Sequence, residues 1–493
     1  MRYGKFLRQR YQAILGYLGL IALISGLVIL SPLVALLAYP EEVGLIWGFL
    51  LPGAVLSGLG LLGWLLLKPK QGDSLTLQEG AIIVVLAWSI AILFSTVPLI
   101  SLQGLNFTQA VFEATSGWTT TGLSVVDVTQ ASRLILLFRS IIELAGGAGL
   151  AIITLSAIAG PVGSGITAAE GRTEQLAPNV KRSAKLVLGI YIGYAIAGTI
   201  ALKLAGMDWF DAVNHSFAAL STGGFSTRTD SIGYWDSPSV EAVTIVLMIF
   251  GNLNFLTSYF LLTGKIKAVL RNGEVRLQAL LIPLSALIVF LGTATQLYPN
   301  FSKAVRVSLF ETISALSTTG FSTVGYSDWT GIAWIVMIIL MLIGGGTGST
   351  AGGIKQYRIY VLYRALISEV KRMLLPRNAI AEPNLWQGEV RAFLSNAQIQ
   401  TISLFVFLYF LIYGIGCTVT AAYGYSLSES LFEYASTLST VGLSVGVTAA
   451  DAPAGLLWTQ IIGMFLGRLE FFTVFVGMVR LLQDTRPIFS KKS

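Results

Sequence analysis

Long apolar stretches alternate with short polar connections from one end of the chain to the other. Ten of these stretches are candidates to cross a bilayer as helices, for which about 20 apolar residues are needed. The pattern therefore predicts an all-α integral membrane protein with ten transmembrane helices. The predicted spans are residues 14–39, 43–67, 80–101, 133–158, 186–205, 239–263, 277–298, 332–354, 398–423 and 455–478.

The composition supports a membrane protein and excludes several other classes. Of the 493 residues, 54% are hydrophobic and 12% are charged, whereas soluble domains carry about 25% charged residues. The basic segment after Met1 leads into a full-length apolar span, so a cleavable signal peptide is not expected. The single cysteine, Cys417, lies within an apolar stretch, which excludes disulfides and a cysteine-rich metal site.

Lysine and arginine are concentrated in alternate connections. If the N-terminus is cytosolic, the connections that face the cytosol hold 25 of the 32 basic residues. Cytosolic loops of membrane proteins carry such an excess, so both termini are predicted to be cytosolic. The net charge of +7 then reflects topology and contact with anionic membrane lipid, and nucleic acid is not an expected partner.

Four of the external connections share one pattern. Each has Thr two positions before a glycine, Leu or Phe one position after it, and then Ser. The glycines are 102, 96 and 122 residues apart, and such internal repetition indicates a repeat architecture rather than four ordinary glycine-containing turns. The four strips are Thr120-Thr121-Gly122-Leu123, Thr222-Gly223-Gly224-Phe225, Thr318-Thr319-Gly320-Phe321 and Thr440-Val441-Gly442-Leu443, called strips 1 to 4 below.

The context of each strip predicts an ion pathway. A segment of about ten residues precedes it, too short to cross the bilayer, so a re-entrant half-helix followed by extended backbone is expected. Non-helical backbone survives at membrane depth only when it is buried in protein or lines a watery path. Four such strips around one axis would present carbonyl oxygens that replace the water shell of potassium. Potassium is then the substrate, and no cofactor bound to this chain is expected.

The strips resemble a known family. Thr-x-Gly-[Leu/Phe]-Ser resembles the potassium-channel filter Thr-Val-Gly-Tyr-Gly, and four span–pore–span units in one chain resemble the Trk/Ktr/HKT superfamily over about residues 80–480. The extra pair of spans at the N-terminus resembles its bacterial Trk branch. The resemblance implies a homodimer with one pore per subunit, a cytosolic ring of RCK-type nucleotide-binding subunits, and the cytoplasmic membrane of a prokaryote. It also implies potassium preference, because a Ser at the first-repeat glycine accompanies sodium permeation and this position is Gly122.

The predicted organisation places the four repeats around a pseudo-fourfold pore. An N-terminal two-helix extension precedes them, and a basic connection before the last repeat is the expected docking surface for a regulator. The predicted units are the extension 1–67, pore repeats 80–158, 181–263, 276–354 (with a broken second helix) and 398–482, and the cytosolic connection 355–397.

The second span of the third repeat is predicted to break. Its apolar stretch is too short to cross the hydrocarbon core and runs into a glycine-rich segment that does not favour a helix. We expect this segment to leave helical form and cross the pore as a gate, and the resemblance implies a loop that obstructs the path. The alternative is tight packing of helices through small residues. The segment, called the glycine loop below, is Gly344-Gly345-Gly346-Thr347-Gly348-Ser349-Thr350-Ala351-Gly352-Gly353.

Arg468 lies in the middle of the last predicted span, where a charge facing lipid would be costly. We predict that it lies on the pore beside the glycine loop, as an electrostatic barrier or as an anchor for loop carbonyls. It resembles the arginine that the superfamily carries in its last span. The alternative is an ion pair with Glu470 or Glu143. Arg139 and Glu143 are predicted to form a structural i, i+4 pair.

Other functions are weaker. Gly442-x-Ser444-x-Gly446 matches a nucleophile pattern and would suit an intramembrane serine hydrolase, but the only histidine, His215, lies in another pore segment, so no enzyme is expected. His215 is expected to cap or pack within its half-helix. A symporter coupled to sodium or protons is the second transport hypothesis. Channel-like conduction is favoured because the repeats are fourfold and the strips carry no carboxylate.

Overall fold

The computed structural model describes residues 2–67, 75–149, 180–329, 331–374, 384–387 and 390–489. Helices account for most of these residues, and one short antiparallel hairpin lies before the last repeat. In chain order the main helices are α1 (Arg2–Leu30), α2 (Ile46–Leu66), α3 (Leu77–Gln103), α4 (Phe107–Trp118), α5 (Arg133–Ala148), α6 (Val180–Ala205), α7 (Trp209–Ser221), α8 (Pro238–Asn252), α9 (Phe255–Leu262), α10 (Ile266–Arg271), α11 (Gly273–Val289), α12 (Phe301–Leu316), α13 (Gly331–Ile343), α14 (Gln356–Leu374), α15 (Asn396–Ala422), α16 (Leu427–Leu438), α17 (Ala454–Leu469) and α18 (Phe471–Phe489). The hairpin strands are β1 (Asn384–Gln387) and β2 (Val390–Phe393).

Six helical segments within the described ranges are long and apolar enough to cross a membrane. Two further pairs, α8 with α9 and α17 with α18, qualify only if each bent pair counts as one span. The fold is therefore that of a helical membrane protein, while the count of ten spans stays a prediction. The difference concerns the second spans of the four repeats: those of the second and fourth repeats are bent, that of the third is short, and that of the first runs into residues outside the described ranges.

The four short helices α4, α7, α12 and α16 end at strips 1 to 4 and begin at side-chain caps. Each N-cap oxygen accepts a hydrogen bond from a backbone N–H of the first turn, which satisfies one of the donors that a helix start leaves free. Two of the caps, those of α4 and α16, are full capping boxes closed by Gln109 and Glu429. The N-cap residues are Asn106, Asp208, Asn300 and Ser426.

The helix that follows each strip stops early. Helix α13 has only 13 residues, α8 and α9 meet at 116°, and α17 and α18 meet at 103°. Helix α5 ends at Ala148, and the predicted remainder of this span, residues 150–158, lies outside the described residues, as do parts of the connection 355–397 and the last residues 490–493. The bends of the second and fourth repeats fall within the predicted spans 239–263 and 455–478, so no single straight helix covers either stretch.

Glycines bring the second helices close to the short helices. A Cβ on Gly146 would collide with the carbonyl oxygen of Trp118, and one on Gly467 with that of Leu438. Gly251 stands in the same relation to Leu220, where a Cβ would lie 2.7 Å from the carbonyl oxygen. These three glycines therefore mark the points where the second helices pack against the C-terminal ends of the short helices.

Helices α1 and α2 pack through small residues, as membrane helices do when their backbones approach closely. A Cβ on Gly60 would collide with the backbone nitrogen of Leu23, whereas Gly58 has no atom within 4 Å of its Cβ position. We expect Gly60→Leu to separate the two helices and to destabilise the protein by about 1–3 kcal/mol, the usual cost of overpacking.

Gly58→Leu is the matched control, since it adds the same side chain to the open face of the same helix. Thermal unfolding of the purified detergent-solubilised variants checks this prediction. Equal melting temperatures for the two variants would contradict the packing described here.

Candidate functional site

All four strips have the same backbone conformation. The threonine that opens each strip and the glycine two positions later both have positive φ: 55° and 89° in strip 1, 53° and 81° in strip 2, 55° and 80° in strip 3, and 52° and 99° in strip 4. Positive φ is rare for a β-branched residue and costs roughly 1–2 kcal/mol. Four threonines in this state indicate that the surrounding structure imposes the conformation.

Backbone hydrogen bonds connect each strip to its short helix in the same way. The N–H of the residue before the glycine donates to a carbonyl five residues earlier, from Thr121 to Ser116 (2.8 Å), from Gly223 to Ala218 (2.9 Å), from Thr319 to Ser314 (3.0 Å) and from Val441 to Ser436 (2.8 Å). The last helical turn therefore unwinds into each strip by one common route.

The four strips form a closed ring. A Cβ built on Gly122 would collide with the carbonyl oxygen of Gly223 in strip 2. The same relation leads from Gly224 to Thr319, from Gly320 to Val441, and from Gly442 back to Thr121. Each strip thus abuts the next in chain order and the fourth abuts the first, although about a hundred residues separate neighbouring strips in the sequence.

The outer side of the ring opens into a cavity of about 330 Å³. Its lining includes all four strip glycines and the serines two positions later, Ser124, Ser226, Ser322 and Ser444. The apolar residues between them, Leu123, Phe225, Phe321 and Leu443, are buried with at most 2% exposure. The glycines and serines of all four strips therefore line the cavity, while the four apolar side chains between them are almost entirely buried.

Charged residues also line this outer cavity. Arg139 and Arg228 are each paired with a carboxylate, with Nε to Glu113 at 2.8 Å and Nη2 to Asp211 at 2.6 Å respectively. Asp127 is exposed, and hydrogen bonds from the hydroxyl and backbone N–H of Thr129 lower the pKa of its carboxyl. The two cations are thus compensated, and a negative charge remains at the mouth.

The inner end of the ring meets the glycine loop. The chain is not helical from residue 344 to residue 355. The N–H of Gly352 donates to the Thr318 hydroxyl (2.8 Å), and the Thr222 hydroxyl donates to that of Thr350 (3.2 Å). A Cβ on Gly352 would collide with the Thr440 hydroxyl. The loop therefore lies directly against the inner threonines of strips 2, 3 and 4.

Polar groups from the second repeat hold one side of the loop. The N–H of Gly346 donates to Asn252 Oδ1 (3.0 Å), and the Thr350 hydroxyl donates to the carbonyl of Gly251 (2.8 Å). The Gly348 carbonyl accepts from the N–H of Phe255 (3.3 Å). The bend between α8 and α9 thus leaves backbone groups that pair with the glycine loop instead of with their own helix.

Residues of the third repeat and of α14 hold the other side of the loop. Glu274 accepts the Thr347 N–H (2.7 Å), and Lys355 Nζ donates to the Ala351 carbonyl (2.7 Å). Gln356 donates through its side chain to the Gly344 carbonyl (2.9 Å) and through its backbone to Gly345 (2.8 Å). Within the loop, the Ser349 hydroxyl donates to Gly346 (2.6 Å), and Gly344 and Gly353 both have positive φ.

Arg468 connects the loop to the first repeat. Its guanidinium donates to the carbonyl of Thr350 and to those of Gly146 (2.6 Å) and Gly147 (3.3 Å) at the end of α5. Glu470 instead pairs with Arg358 (2.7 Å), and the Glu143 carboxylate accepts the N–H of Phe225 (3.1 Å). The contacts of Arg468 thus agree with an anchor for loop carbonyls rather than with the ion pairs considered as alternatives.

Comparison with known proteins identifies the family. The family model TrkH, described as a cation transport protein, matches residues 59–486. This chain belongs to the TrkH family. A cation transporter from Methanocaldococcus jannaschii is 30% identical over 97% of this chain and 98% of its own length. The Trk system potassium uptake protein TrkH of Escherichia coli K12 is 30% identical over 94% of this chain and 98% of its own length.

A solved structure has the same fold. The crystal structure of the potassium transporter TrkH from Vibrio parahaemolyticus superposes with a TM-score of 0.82 at 28% identity, covering 94% of this chain and 98% of that one. Membership of the TrkH family makes this chain a membrane transport protein and not an enzyme. The serine hydrolase hypothesis is therefore wrong. The Ser444 hydroxyl instead donates a hydrogen bond of 2.9 Å to the buried carboxylate of Glu433.

This TrkH-family chain also has a set of anchors behind the ring that was not predicted from its sequence. Nine positions before the strip glycines lie Glu113, His215, Glu311 and Glu433, all fully buried. Each side chain bonds residues that follow its own strip, so it fixes the outer end of the strip. Their recurrence at one offset was the signal available in the sequence.

The anchors differ in their partners. Glu113 accepts from the Ser124 hydroxyl (2.9 Å) and the Val125 N–H (2.9 Å). Glu433 accepts from the Val445 N–H (3.0 Å). Glu311 accepts from the N–H and hydroxyl of Thr323 (2.7 Å each) and from Tyr326.

His215 anchors strip 2 through both ring nitrogens. Its Nδ1 donates to the Asp211 carbonyl at 2.8 Å, and its Nε2 forms a hydrogen bond of 2.9 Å with the Ser226 hydroxyl. His215 therefore bonds within its own half-helix, as expected, and in addition holds strip 2.

The predicted i, i+4 pair of Arg139 with Glu143 is wrong, because Arg139 pairs with Glu113. Its Nε bonds Glu113 across 26 residues of sequence, and its guanidinium lies 3.9 Å from the centre of the Phe225 ring. Glu143, one turn along the same helix, points instead to strip 2. Both side chains of the Arg139–Glu113 pair are buried, with exposures of 2% and 0%, and each compensates the charge of the other.

We expect Glu113→Ala to destabilise the protein by about 3–5 kcal/mol, since it leaves the buried Arg139 without its carboxylate. Glu41→Ala is the control: Glu41 pairs with Arg133 at 4.0 Å with both side chains at least half exposed, and we expect a change within about 1 kcal/mol. Thermal unfolding of both variants in detergent tests the difference, and a Glu113→Ala variant as stable as the control would contradict it.

Proposed function

We propose that this chain carries potassium selectively across the membrane through the ring formed by strips 1 to 4. The observation that carries the proposal is the closed ring, in which four strips repeat one backbone conformation. Glycine in the left-handed region lets carbonyl oxygens turn towards a common axis, and such carbonyls replace the hydration shell of potassium. The site residues proposed are the sixteen residues of the four strips.

Two observations support potassium as the ion. Two relatives are named potassium uptake proteins, and the protein of the solved structure is named a potassium transporter. All four ring positions are glycine, including Gly122, where a Cβ would meet the carbonyl of Gly223. The buried hydroxyls of Thr120 and Thr440 at the inner end have no hydrogen-bond partner among the described residues, which supports a further oxygen site for the ion.

The proposed arrangement is four span–pore–span units around a pseudo-fourfold axis, with ten spans and both termini cytosolic. The cyclic order of the strip contacts supports the fourfold axis. The distribution of lysine and arginine supports the orientation. The proposed location is the cytoplasmic membrane of a prokaryote.

The glycine loop and Arg468 are proposed as the gate. Contacts of Thr350 and Gly352 with the inner threonines support a loop that obstructs the exit from the ring. Arg468 adds a permanent positive charge beneath the ring and bonds the loop to α5, so it would oppose cation passage and hold the loop closed.

Regulation by a cytosolic RCK-type subunit is proposed for the connection 355–397, and a homodimer as the assembly. Helix α14 supports a docking surface because it exposes an apolar stripe with helical spacing. The exposed residues of this stripe are Tyr363, Leu366, Val370, Met373 and Leu374. The names of the relatives, which belong to a Trk system, support a transporter that works with further components.

The selectivity of the ring is tested by cation uptake into liposomes under potassium, rubidium, sodium and choline gradients. Gly320→Ser should lower the potassium-to-sodium ratio about tenfold or more, because its Cβ would push against the Val441 carbonyl and its φ of 80° suits glycine. Gly331→Ser, at a glycine with open space around it, is the control and should keep the ratio. Equal sodium and potassium uptake by the unmodified protein would overturn the proposal.

The gate is tested by flux without any regulator. Arg468→Ala should raise basal potassium uptake by about tenfold, equivalent to a barrier lower by ~1.4 kcal/mol, because it removes both a charge and the loop anchor. Arg372→Ala, which removes an exposed arginine that pairs with Glu369 three residues away on α14, is the control. Deletion of residues 346–351 should raise the leak further, and an unchanged leak would rule out a gate at this loop.

A further inference from the structure

Strip 2 differs from the other three at the position before its ring glycine. That position is Thr121, Thr319 and Val441 in strips 1, 3 and 4, but Gly223 in strip 2. A side chain at this position packs behind the ring: Thr121 and Thr319 are both fully buried and bond the residue two positions earlier at 2.7 Å. Strip 2 therefore lacks a side chain where the others have one.

The carboxyl group of Glu143 occupies the space that this side chain would fill. A Cβ on Gly223 would collide with Glu143 Cδ and lie 2.6 Å from Oε1 and 2.8 Å from Oε2. Glu143 belongs to α5, the second helix of the first repeat, and its side chain is fully buried. The missing volume of strip 2 is thus supplied by a neighbouring repeat.

Glu143 also supplies a hydrogen bond that strip 2 cannot make for itself. In strips 3 and 4 a serine six positions before the glycine holds the strip, with Ser314 donating to the Phe321 carbonyl (2.6 Å) and Ser436 accepting the Gly442 N–H (3.0 Å). The corresponding residue of strip 2 is Ala218. The Phe225 N–H instead donates to Glu143 Oε1 at 3.1 Å.

Glu143 has few other hydrogen-bond or ion-pair partners among the described residues. Arg139, its nearest candidate partner along α5, bonds Glu113 instead. Among the described residues Oε2 of Glu143 has no hydrogen-bond partner. A buried carboxyl with one unpaired oxygen is costly, so its place behind strip 2 calls for a role there.

We propose that Glu143 is a positioning residue for strip 2, and that it sets the ion preference of the ring by holding the backbone from Gly223 to Phe225. Volume from the carboxyl and the bond to the Phe225 N–H replace what Gly223 and Ala218 lack. This inference rests on the function proposed above and extends it to a residue outside the strips.

The experiment compares potassium and sodium uptake by liposomes holding Glu143→Gln, Glu143→Ala, Gly223→Thr or the double variant Glu143→Ala/Gly223→Thr. Glu143→Gln keeps the volume and an acceptor oxygen and should keep the potassium-to-sodium ratio. Glu143→Ala leaves a gap and Gly223→Thr creates a collision, so each should lower the potassium-to-sodium ratio about tenfold. The double variant should recover most of the lost ratio. Recovery is expected because the threonine introduced at position 223 would fill the gap and could bond Ser221, as Thr319 bonds Ser317.

The inference is overturned if Glu143→Ala keeps the wild-type ratio, or if the double variant is no better than the worse single variant. Gly189→Thr, at an open helical glycine, controls for the added side chain. If Glu143→Ala does not fold, Glu143→Met answers the same question, since it fills the space without an acceptor. A ratio lower than that of Glu143→Gln supports the role, and an equal ratio removes it.

The outcome separates this inference from the proposed function. If the unmodified protein does not prefer potassium, the potassium proposal fails. The positioning role is then judged from the flux of whichever cation permeates, which Glu143→Ala should disturb and the double variant should restore. If the preference exists and none of the Glu143 variants changes it, only the positioning role fails.

Discussion

Each of the four ring glycines lies where no side chain fits, against the carbonyl of the next strip. This close approach determines much of what surrounds it. The threonines two positions earlier must adopt positive φ, at roughly 1–2 kcal/mol each, so that the strips meet. Three features hold the four strained strips in place. They are the buried apolar residues behind the strips, the anchors at their outer ends and the close-packed glycines on the second helices.

The region beneath the ring follows a second constraint. Backbone that leaves helical form at membrane depth must find hydrogen bonds within the protein. The glycine loop obtains them from side chains that would otherwise be unusual in apolar helices, namely Asn252, Glu274, Gln356 and Arg468. Asn252 comes from α8, Glu274 from α11 and Arg468 from α17. Arg468 also bonds carbonyls at the end of α5, so the first repeat is linked to the loop through this arginine.

The repeats share backbone geometry more closely than they share side chains. The same helical turn unwinds into each strip, yet the anchor is glutamate in three strips and histidine in strip 2. Strip 2 also has Gly223 and Ala218 where the other strips have larger or polar residues. Glu143 of the first repeat accepts a hydrogen bond from its Phe225 N–H. A ring of this kind requires equal positions of its oxygens, and different side chains can achieve that as long as each strip is held.

The sequence by itself determined the helical membrane class, the four strips and the glycine-rich break, because these depend on local composition, on period and on repetition along the chain. The sequence also contained a signal for the anchors, because a glutamate or histidine stands nine positions before every strip glycine. The tertiary structure alone decided which groups meet: Arg139 with Glu113 rather than Glu143, Arg468 with carbonyls of the loop and α5, and Glu143 with strip 2. It alone located the bends after Asn252 and Leu469. Hydropathy does not reveal these features, because the partners of a buried charge or of a broken helix lie tens to hundreds of residues away in the chain.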